Sequence, residues 1–550
     1  MKVLFGIILA LHSYILPVHY EVSLAGNFGE PRPHHFHGGI DIRTSGVEGK
    51  PIYTIGDGYV SRVSVGLYGF GNAVYVHHPD GRTSVYCHLK SFSSRIKRAV
   101  RHWQHLHQSY RGDMFFAPTD LPVAQGDFIA LSGNTGHSMA PHLHLEIHDS
   151  KTWNMLDPLE FLGQYVSDNT APVAHGLMAY PQNGSGSFCG SGKQQNFAFS
   201  AQSLAHKFTA WGQVGFGIWA NDYMENSYNH YGVRSTQLMM DGKLIFESNV
   251  DEIPMEKTRM ADAWGDYAHF LRSNVWYMKS FIEPGVSLPV LKSGKKSGIV
   301  DFTEERDYHF TYVLTDFFGN SAKYSFVVMG KKEKNEGKLS VQPMKTLFWN
   351  RPNYFVQNGA SLLTRSGALS KNLTMKPRFL VGKSSFFSDA YQFYPVSFPL
   401  FSWAKLGIKV KKEVKNPEKL YVTSLDKSNR FFPSRYEEGW VYCRIRDLGL
   451  TYTLAYDDLP PSIVPVAYTN WAQTRKIKLT LHDKGGSGIK SVKAFLDGRF
   501  ILLEPLGKSA VLQCDLGESP VPRTGQVRTL RVVAVDNCGN ENVFETKLKY

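Results

Sequence analysis

Hydrophobic and polar positions alternate over most of this chain. Asn72–His78 (NAVYVHH), His142–His148 (HLHLEIH), Tyr308–Asp316 (YHFTYVLTD) and Thr529–Asp536 (TLRVVAVD) place an apolar side chain at nearly every second residue, between clusters of Gly, Asn and Asp. That period predicts short, half-buried strands joined by tight turns. One stretch breaks the pattern. Residues 93–111 (SSRIKRAVRHWQHLHQSYR) put Ile96, Val100, Trp103 and Leu106 or His107 at helical spacing with basic residues between them. The spacing predicts an amphipathic helix inserted into a β domain, with Ser93 or Ser94 as its cap.

A repeat lies further along. Gly232–Lys243 (GVRSTQLMMDGK) matches Gly488–Arg499 (GIKSVKAFLDGR) at its Gly, aliphatic, basic, Ser, Asp-Gly and basic positions. Each copy is followed by V-x-x-D-x-x-G-N, at Val313–Asn320 and Val533–Asn540, and preceded by a linker-like entry, Asp168–Pro172 (DNTAP) and Asp457–Pro461 (DDLPP). Three signals in one order imply two copies of one β module. The first copy has the longer middle: 75 residues separate Asp241 from Asp316, against 39 between Asp497 and Asp536. Short strands, Asp-Gly turns and a last strand after Gly-Asn predict a β-sandwich similar to bacterial immunoglobulin-like modules. The aromatic, basic stretch between the copies is expected to form a further β unit, with Lys409–Lys419 as a solvated charged turn.

At 550 residues the chain is long enough for three to five domains. With 20% charged and 42% hydrophobic residues it is neither a disordered tail nor a coiled coil. The excess of 61 Lys+Arg over 48 Asp+Glu favours an anionic partner, but no phosphate-binding loop, dinucleotide fingerprint or nucleic-acid motif accompanies it, so no nucleic-acid partner is expected. No stretch is long enough to span a membrane as a helix. Met1-Lys2 followed by the apolar run Val3–Leu11 reads as a secretory signal, which points to export. Among five cysteines only Cys514 and Cys538 offer a disulfide, and spacing does not decide it.

The candidate chemistry lies in the first 160 residues. HFHGGIDI puts His37 and Asp41 four residues apart. In HLHLEIH the apolar positions Leu143, Leu145 and Ile147 take one strand face, so His142, His144, Glu146 and His148 share the other. His37, Asp41 and His144 supply N, O and N donors, the three protein ligands that a catalytic zinc needs beside an open position. Cys87 reads as core. His105 and His107 imitate the H-x-H pair, but two residues apart on a helix they point in different directions.

Four motifs occur in order: H-x-x-x-D at His37/Asp41, Y-x-H-L at Tyr86/His88/Leu89, G-x-T-G ending Asn134-Thr135-Gly136, and H-x-H at His142/His144. With them, residues from about Asn27 to Leu162 resemble the lysostaphin/LytM-type zinc endopeptidases of bacterial cell walls, in a multi-domain envelope arrangement similar to that of Bacteroidetes proteins. The resemblance implies an antiparallel β core with Zn2+ held by His37, Asp41 and His144, and His142 and His88 as the catalytic histidines, their division of labour left open. The expected fold is mainly all-β: a signal segment over 1–16, a metallopeptidase domain over 17–165 with a helical insertion at 93–112, an immunoglobulin-like module with a long insertion over 168–334, a β-rich middle domain over 335–456, and an immunoglobulin-like β-sandwich over 457–550. The expected function is hydrolysis of peptide crosslinks in peptidoglycan, in the periplasm or cell envelope, with an envelope protein as a further partner through the β modules. The alternatives are a non-catalytic envelope scaffold that activates other wall hydrolases, and a zinc protease acting on a protein.

Overall fold

A computed structural model of the chain describes residues 13–550, apart from 201–204, 206, 226, 295, 333–344, 382–386 and 427–428. The apolar run Val3–Leu11 lies outside the described residues. Strands dominate, as the alternation requires, and among the described residues no helix is long and apolar enough to cross a membrane. These residues form two compact units. One runs to residue 102 and takes in 111–258 and 288–335; the other comprises 103–110, 259–287 and 336–550.

In the first unit an antiparallel sheet carries the candidate site. Its strands are β1 (Leu24–Gly26), β2 (Gly39–Arg43), β3 (Gly58–Val65), β4 (Ala73–His77), β5 (Arg82–Cys87), β6 (Gly112–Phe115) and β7 (His142–Asp149), in the order β1-β2-β7-β5-β4-β3-β6. The histidine strand β7 is central and buried on both faces: Leu143, Leu145 and Ile147 fill one side, His144, Glu146 and His148 the other. Close approach of β2 requires Gly39, since a Cβ there would lie 2.0 Å from the Leu145 carbonyl oxygen. Ahead of β1 the chain is already part of the domain. Tyr14 is buried, donates from its hydroxyl to Asp80 (2.8 Å) and packs on His78 and Phe161, so the domain starts earlier than residue 17.

The helix expected over 93–111 spans Ser94–His107 (α1). Ile96 and Val100 are buried as the spacing predicts, but Leu106 is 70% exposed. Gln104 takes the buried position instead, because its side-chain amide donates to the Tyr110 carbonyl (2.8 Å) and so enters the interior satisfied.

The first repeat copy also belongs to this unit. Both copies build the same hairpin. Asp241-Gly242 joins Ser235–Met240 to Lys243–Asn249, and Asp497-Gly498 joins Ile489–Leu496 to Arg499–Ile501. Both residues of each pair have positive φ (50° and 75°; 47° and 77°), the two-residue turn whose twist matches the strands it connects. In the first copy the strands hydrogen-bond into one continuous sheet around Phe188, Phe216, Phe310 and Phe326, and Phe208–Ala210 pairs in parallel with Val328–Gly330. The module is fastened to the peptidase-like sheet. Met155–Leu156, paired to β7, also pairs Glu252–Ile253, and Arg234 forms ion pairs with Asp157 (2.5 Å) and Glu160 (2.7 Å).

In the second unit, residues 353–456 form two five-stranded sheets around one core that includes Leu362, Leu406, Ile445, Val422 and Leu454. The last module forms two four-stranded sheets, with Ile477 and Leu479 of one packed with Ala494, Leu530 and Val532 of the other. Part of the long insertion of the first copy, 259–287, belongs to this unit: Glu283 accepts from Lys279 and Lys371, both at 2.9 Å. Cys514 is buried in the last module's core, and among the described residues no disulfide joins it to Cys538.

Candidate active site

Register brings the first two candidate residues together. Asp41 on β2 stands directly opposite His144 on β7, and His37 enters from the segment just before β2. Three atoms form a small triangle: His37 Nε2 to Asp41 Oδ1 is 3.0 Å, His37 Nε2 to His144 Nδ1 is 2.9 Å, and His144 Nδ1 to Asp41 Oδ1 is 2.8 Å. All three residues are buried.

The other polar atom of each is already committed. A carbonyl only accepts, so the Asn27 carbonyl, 2.5 Å from His37 Nδ1, places a proton there and leaves the Nε2 lone pair facing inward. Glu146 Oε1, 2.9 Å from His144 Nε2, does the same for that ring and leaves Nδ1 facing inward. Arg32 Nη2 donates to Asp41 Oδ2 (2.9 Å), so Oδ1 is the free carboxylate oxygen. Three lone-pair atoms facing one another at under 3.1 Å repel unless they share a positive charge. Their separations approach the edge of about 3.3 Å that bonds of about 2.05 Å subtend in a tetrahedral metal site. The donor set N, O, N, with an anchored partner behind each donor, fits a borderline metal ion such as zinc.

Electrostatics agree. Burial works against charge on Asp41, but the imidazoles around it, His37 first and then His142 and His144, hold its carboxyl well below the usual carboxylate range. For His144 burial is likewise the largest influence, yet hydrogen bonds to Asp41 and Glu146 overcome it and raise the imidazole to about 9. The pocket is built to hold a cation next to that ring.

Two further histidines stand beside the triangle. His142 Nε2 is 3.4 Å from Asp41 Oδ1, and its Nδ1–H donates to the Ala140 carbonyl (2.8 Å). His88 lies 4.9 Å from His142 and 5.8 Å from His144, ring centre to ring centre. Its Nδ1–H donates to the Thr135 carbonyl (2.9 Å). Burial first, then the neighbouring His144 and His142, lower His88 to about 3, so it stays neutral across the physiological range. All five sequence-derived candidates, His37, Asp41, His88, His142 and His144, therefore converge on one place.

The glycine-rich motifs hold His88 there. His88 follows β5 with φ of 60°, an uncommon conformation for a side chain of this size. Its amide donates to the Phe70 carbonyl, while Thr135 donates from its hydroxyl to the Leu89 carbonyl and accepts from the Asn72 amide. Gly71 and Gly136 pack backbone to backbone, each with positive φ; a Cβ on Gly136 would lie 2.3 Å from the Gly71 nitrogen. The G-F-G-N and G-N-T-G phrases are thus two halves of one clamp.

Several residues of the site escaped the sequence reading. Arg32, set between prolines five residues before His37, turns back through the Pro31–Arg32/His35–Phe36 hairpin to reach Asp41. Phe70 stacks 5.8 Å from His144, and His148 donates to Glu146 Oε2 (2.6 Å) while stacking on Trp153. The period-two strand placed His148 on the right face, but nothing in the sequence joined it to Glu146. Cys87 packs with Ala73, Tyr75 and Val85, as core.

Comparison with known proteins adds to this geometry. A model for peptidase family M23 matches residues 35–110, a stretch that holds His37, Asp41 and His88 and stops before His142 and His144; a model for a Zu5-like domain matches 344–457. An uncharacterized metalloprotease of Haemophilus influenzae is 34% identical over 120 residues, 22% of this chain and 19% of that protein. One from Buchnera aphidicola is 32% identical over 111 residues, 20% of this chain and 23% of that protein. The chain therefore spans about a fifth of the length of the curated relatives it matches. Among solved structures, the catalytic domain of lysostaphin from Staphylococcus simulans is similar at 23% identity, over 26% of this chain and 92% of that one, with a TM-score of 0.20. Residues 35–110 of this chain are a peptidase family M23 domain, of the LytM/lysostaphin family.

Proposed function

We propose that the N-terminal domain is a zinc-dependent endopeptidase that hydrolyses peptide crosslinks of peptidoglycan. The observation that carries this reading is the triangle of His37 Nε2, Asp41 Oδ1 and His144 Nδ1, in which the outward atom of each residue is already engaged and which has two imidazoles beside it. Those three residues would hold the ion. When bound, zinc supplies Lewis acidity, polarising the scissile carbonyl and lowering the pKa of a water to about 7.

The chain's own residues do the rest. Asn27, Glu146 and Arg32 orient the three donors so that little reorganisation is needed on binding. His142, with its Nδ1–H fixed on Ala140, presents an Nε2 lone pair to the centre and accepts the water proton there. The imidazolium that results stands with Nε2 3.4 Å from Asp41 Oδ1 and then returns the proton to the leaving amine. His88, neutral and with its Nδ1–H fixed on Thr135, likewise offers Nε2 as an acceptor and positions the water. This division gives the proton transfer to His142 and the placing of the water to His88. Export to the periplasm or cell envelope belongs to the same reading, with the net charge of +13 suited to an anionic wall and the β modules as contacts for the wall or an envelope protein.

The reading is tested by incubating the full chain with purified peptidoglycan and measuring new amino groups, with and without a chelator, then after zinc is restored. Chelator-sensitive, zinc-restored release is expected. No release from a chain carrying one zinc would overturn the enzyme in favour of a scaffold or of a protein substrate. Within the enzyme, His142→Ala is expected to keep its zinc and lose turnover by about 10²–10⁴-fold, the scale of general-base removal. Glu146→Gln is expected to weaken zinc binding by about 10–100-fold, because the orienting charge behind His144 is gone; competition with a chromogenic chelator measures it.

A further inference from the structure

The two repeat copies each bring three aspartates together: Asp168, Asp222 and Asp316 in the first, Asp457, Asp483 and Asp536 in the second. In each set one oxygen per residue lies within 4.8 Å of the others. The positions correspond. Asp168 and Asp457 open the linker phrases, and Asp316 and Asp536 are the aspartates of V-x-x-D-x-x-G-N. In both copies the asparagine that ends that phrase closes the same ring. Asn320 donates from its backbone and side chain to the two oxygens of Asp316 (2.8 and 2.7 Å) and from its side chain to the Asp168 carbonyl (2.9 Å). Asn540 makes the same three bonds to Asp536 and the Asp457 carbonyl.

The copies differ in how the charge is answered. In the second, backbone amides converge on the carboxylates: Leu459 and Ser487 donate to Asp457, and Gly485 and Gly488 donate to Asp483. In the first, among the described residues, the Thr170 amide reaches Asp168 and the Tyr223 amide reaches Asp222, and no others are seen to join them on these two carboxylates. Asp168, Asp222 and Asp316 are 6%, 2% and 4% exposed. Asp168 Oδ1 accepts from the Thr170 amide (2.9 Å), but Asp168 Oδ2 and Asp222 Oδ1 are buried with no hydrogen-bond partner. Among the described residues no lysine, arginine or histidine forms an ion pair with any of the three. Two unpartnered carboxylate oxygens, buried in one cluster with a third carboxylate, are costly unless a proton or a metal cation joins them.

We propose that the first β module binds one calcium ion between Asp168, Asp222 and Asp316. The donors are oxygens alone, with no histidine or cysteine among them, which selects a hard cation over zinc. A cluster gathered from a linker and two strand ends suits the irregular oxygen shell of calcium better than the strict octahedron of magnesium. The ion ties the segment leaving the peptidase-like sheet to the module at Asp168, so its role is to stiffen that junction. The site is independent of the peptidase chemistry and stands if that reading fails.

The whole chain, freed of divalent ions and then supplied with one equivalent of zinc, is titrated calorimetrically with Ca2+ and, separately, with Mg2+. The expected result is Ca2+ binding at submillimolar to millimolar concentration, the range of extracellular modules, with one bound Ca2+ per chain lost in Asp222→Asn and in Asp316→Asn while zinc content is unchanged. Ca2+ should raise the melting temperature of the parent by a few degrees and not that of either variant. In ion-free buffer Asp222→Asn should melt no lower than the parent, since it removes a like charge at a carboxylate whose Oδ1 has no hydrogen-bond partner, and this separates loss of a ligand from loss of fold. Unchanged Ca2+ stoichiometry in both variants, binding of Mg2+ alone, or no binding at millimolar Ca2+ would overturn the proposal.

Discussion

Asp41→Ala is expected to abolish zinc binding and peptide hydrolysis together while leaving the sheet folded. Asp41 Oδ1 is the one atom in contact with both inward-facing imidazole nitrogens, at 3.0 and 2.8 Å, and it is the anion that makes a cation favourable in this buried place. Without it two neutral rings face each other with no negative charge between them. A site reduced to two neutral donors has neither the ligand count nor the charge of a catalytic zinc centre. Arg32 loses its acceptor as well, but it also bonds Glu30 (3.2 Å) and its side chain is about a third exposed, so its charge does not end up stranded. The measurement is zinc per chain by elemental analysis alongside wall-peptide hydrolysis, with His144→Ala in parallel. Zinc kept at full stoichiometry in either variant would show that the ion is held elsewhere.

A fragment cut after residue 165 is expected to bind zinc at least about tenfold more weakly than the whole chain and to melt well below it. The reason lies at Asn27. Its carbonyl fixes the His37 tautomer, and its side-chain amide is clamped in both directions to Gly232 of the first β module (2.8 and 2.9 Å). Tyr231 donates to the Leu24 carbonyl (2.9 Å), and Val250 lies against Gly29. Removing the module frees the segment that carries both the His37 anchor and Arg32. It also leaves buried Asp157 without Arg234, and losing one member of a buried ion pair costs about 3–5 kcal/mol. Arg234→Ala in the intact chain isolates that part, since it removes the ion pair and keeps the Asn27 clamp. A fragment that holds zinc and melts like the whole chain would reduce the module to a spacer.

Much of the site was legible because it rests on local rules. A strict period of two places His142, His144, Glu146 and His148 on one face wherever a strand is buried on its other face, and Leu143, Leu145 and Ile147 ensured that it was. The Asp-Gly turns and the V-x-x-D-x-x-G-N phrases announced a repeat, and both copies built the same hairpin and the same asparagine ring. Leu106 went the other way. Helical spacing cannot foresee that a glutamine two residues earlier will enter the interior once a carbonyl is there to receive it.

The sequence alone thus determined the strands, the helix, the repeat and the identity of the five converging residues, because each follows from periodicity or from motifs whose spacing a strand preserves. Only the tertiary structure decided which atom of each ring faces inward, that Arg32 and Asn27 support the centre, and that three aspartates separated by 54 and 94 residues in the sequence (Asp168 to Asp222, Asp222 to Asp316) meet with unpartnered oxygens. Those facts depend on partners far apart in the chain, such as Asn27 and Gly232, and a hydrogen bond between distant segments leaves no periodic trace in either of them.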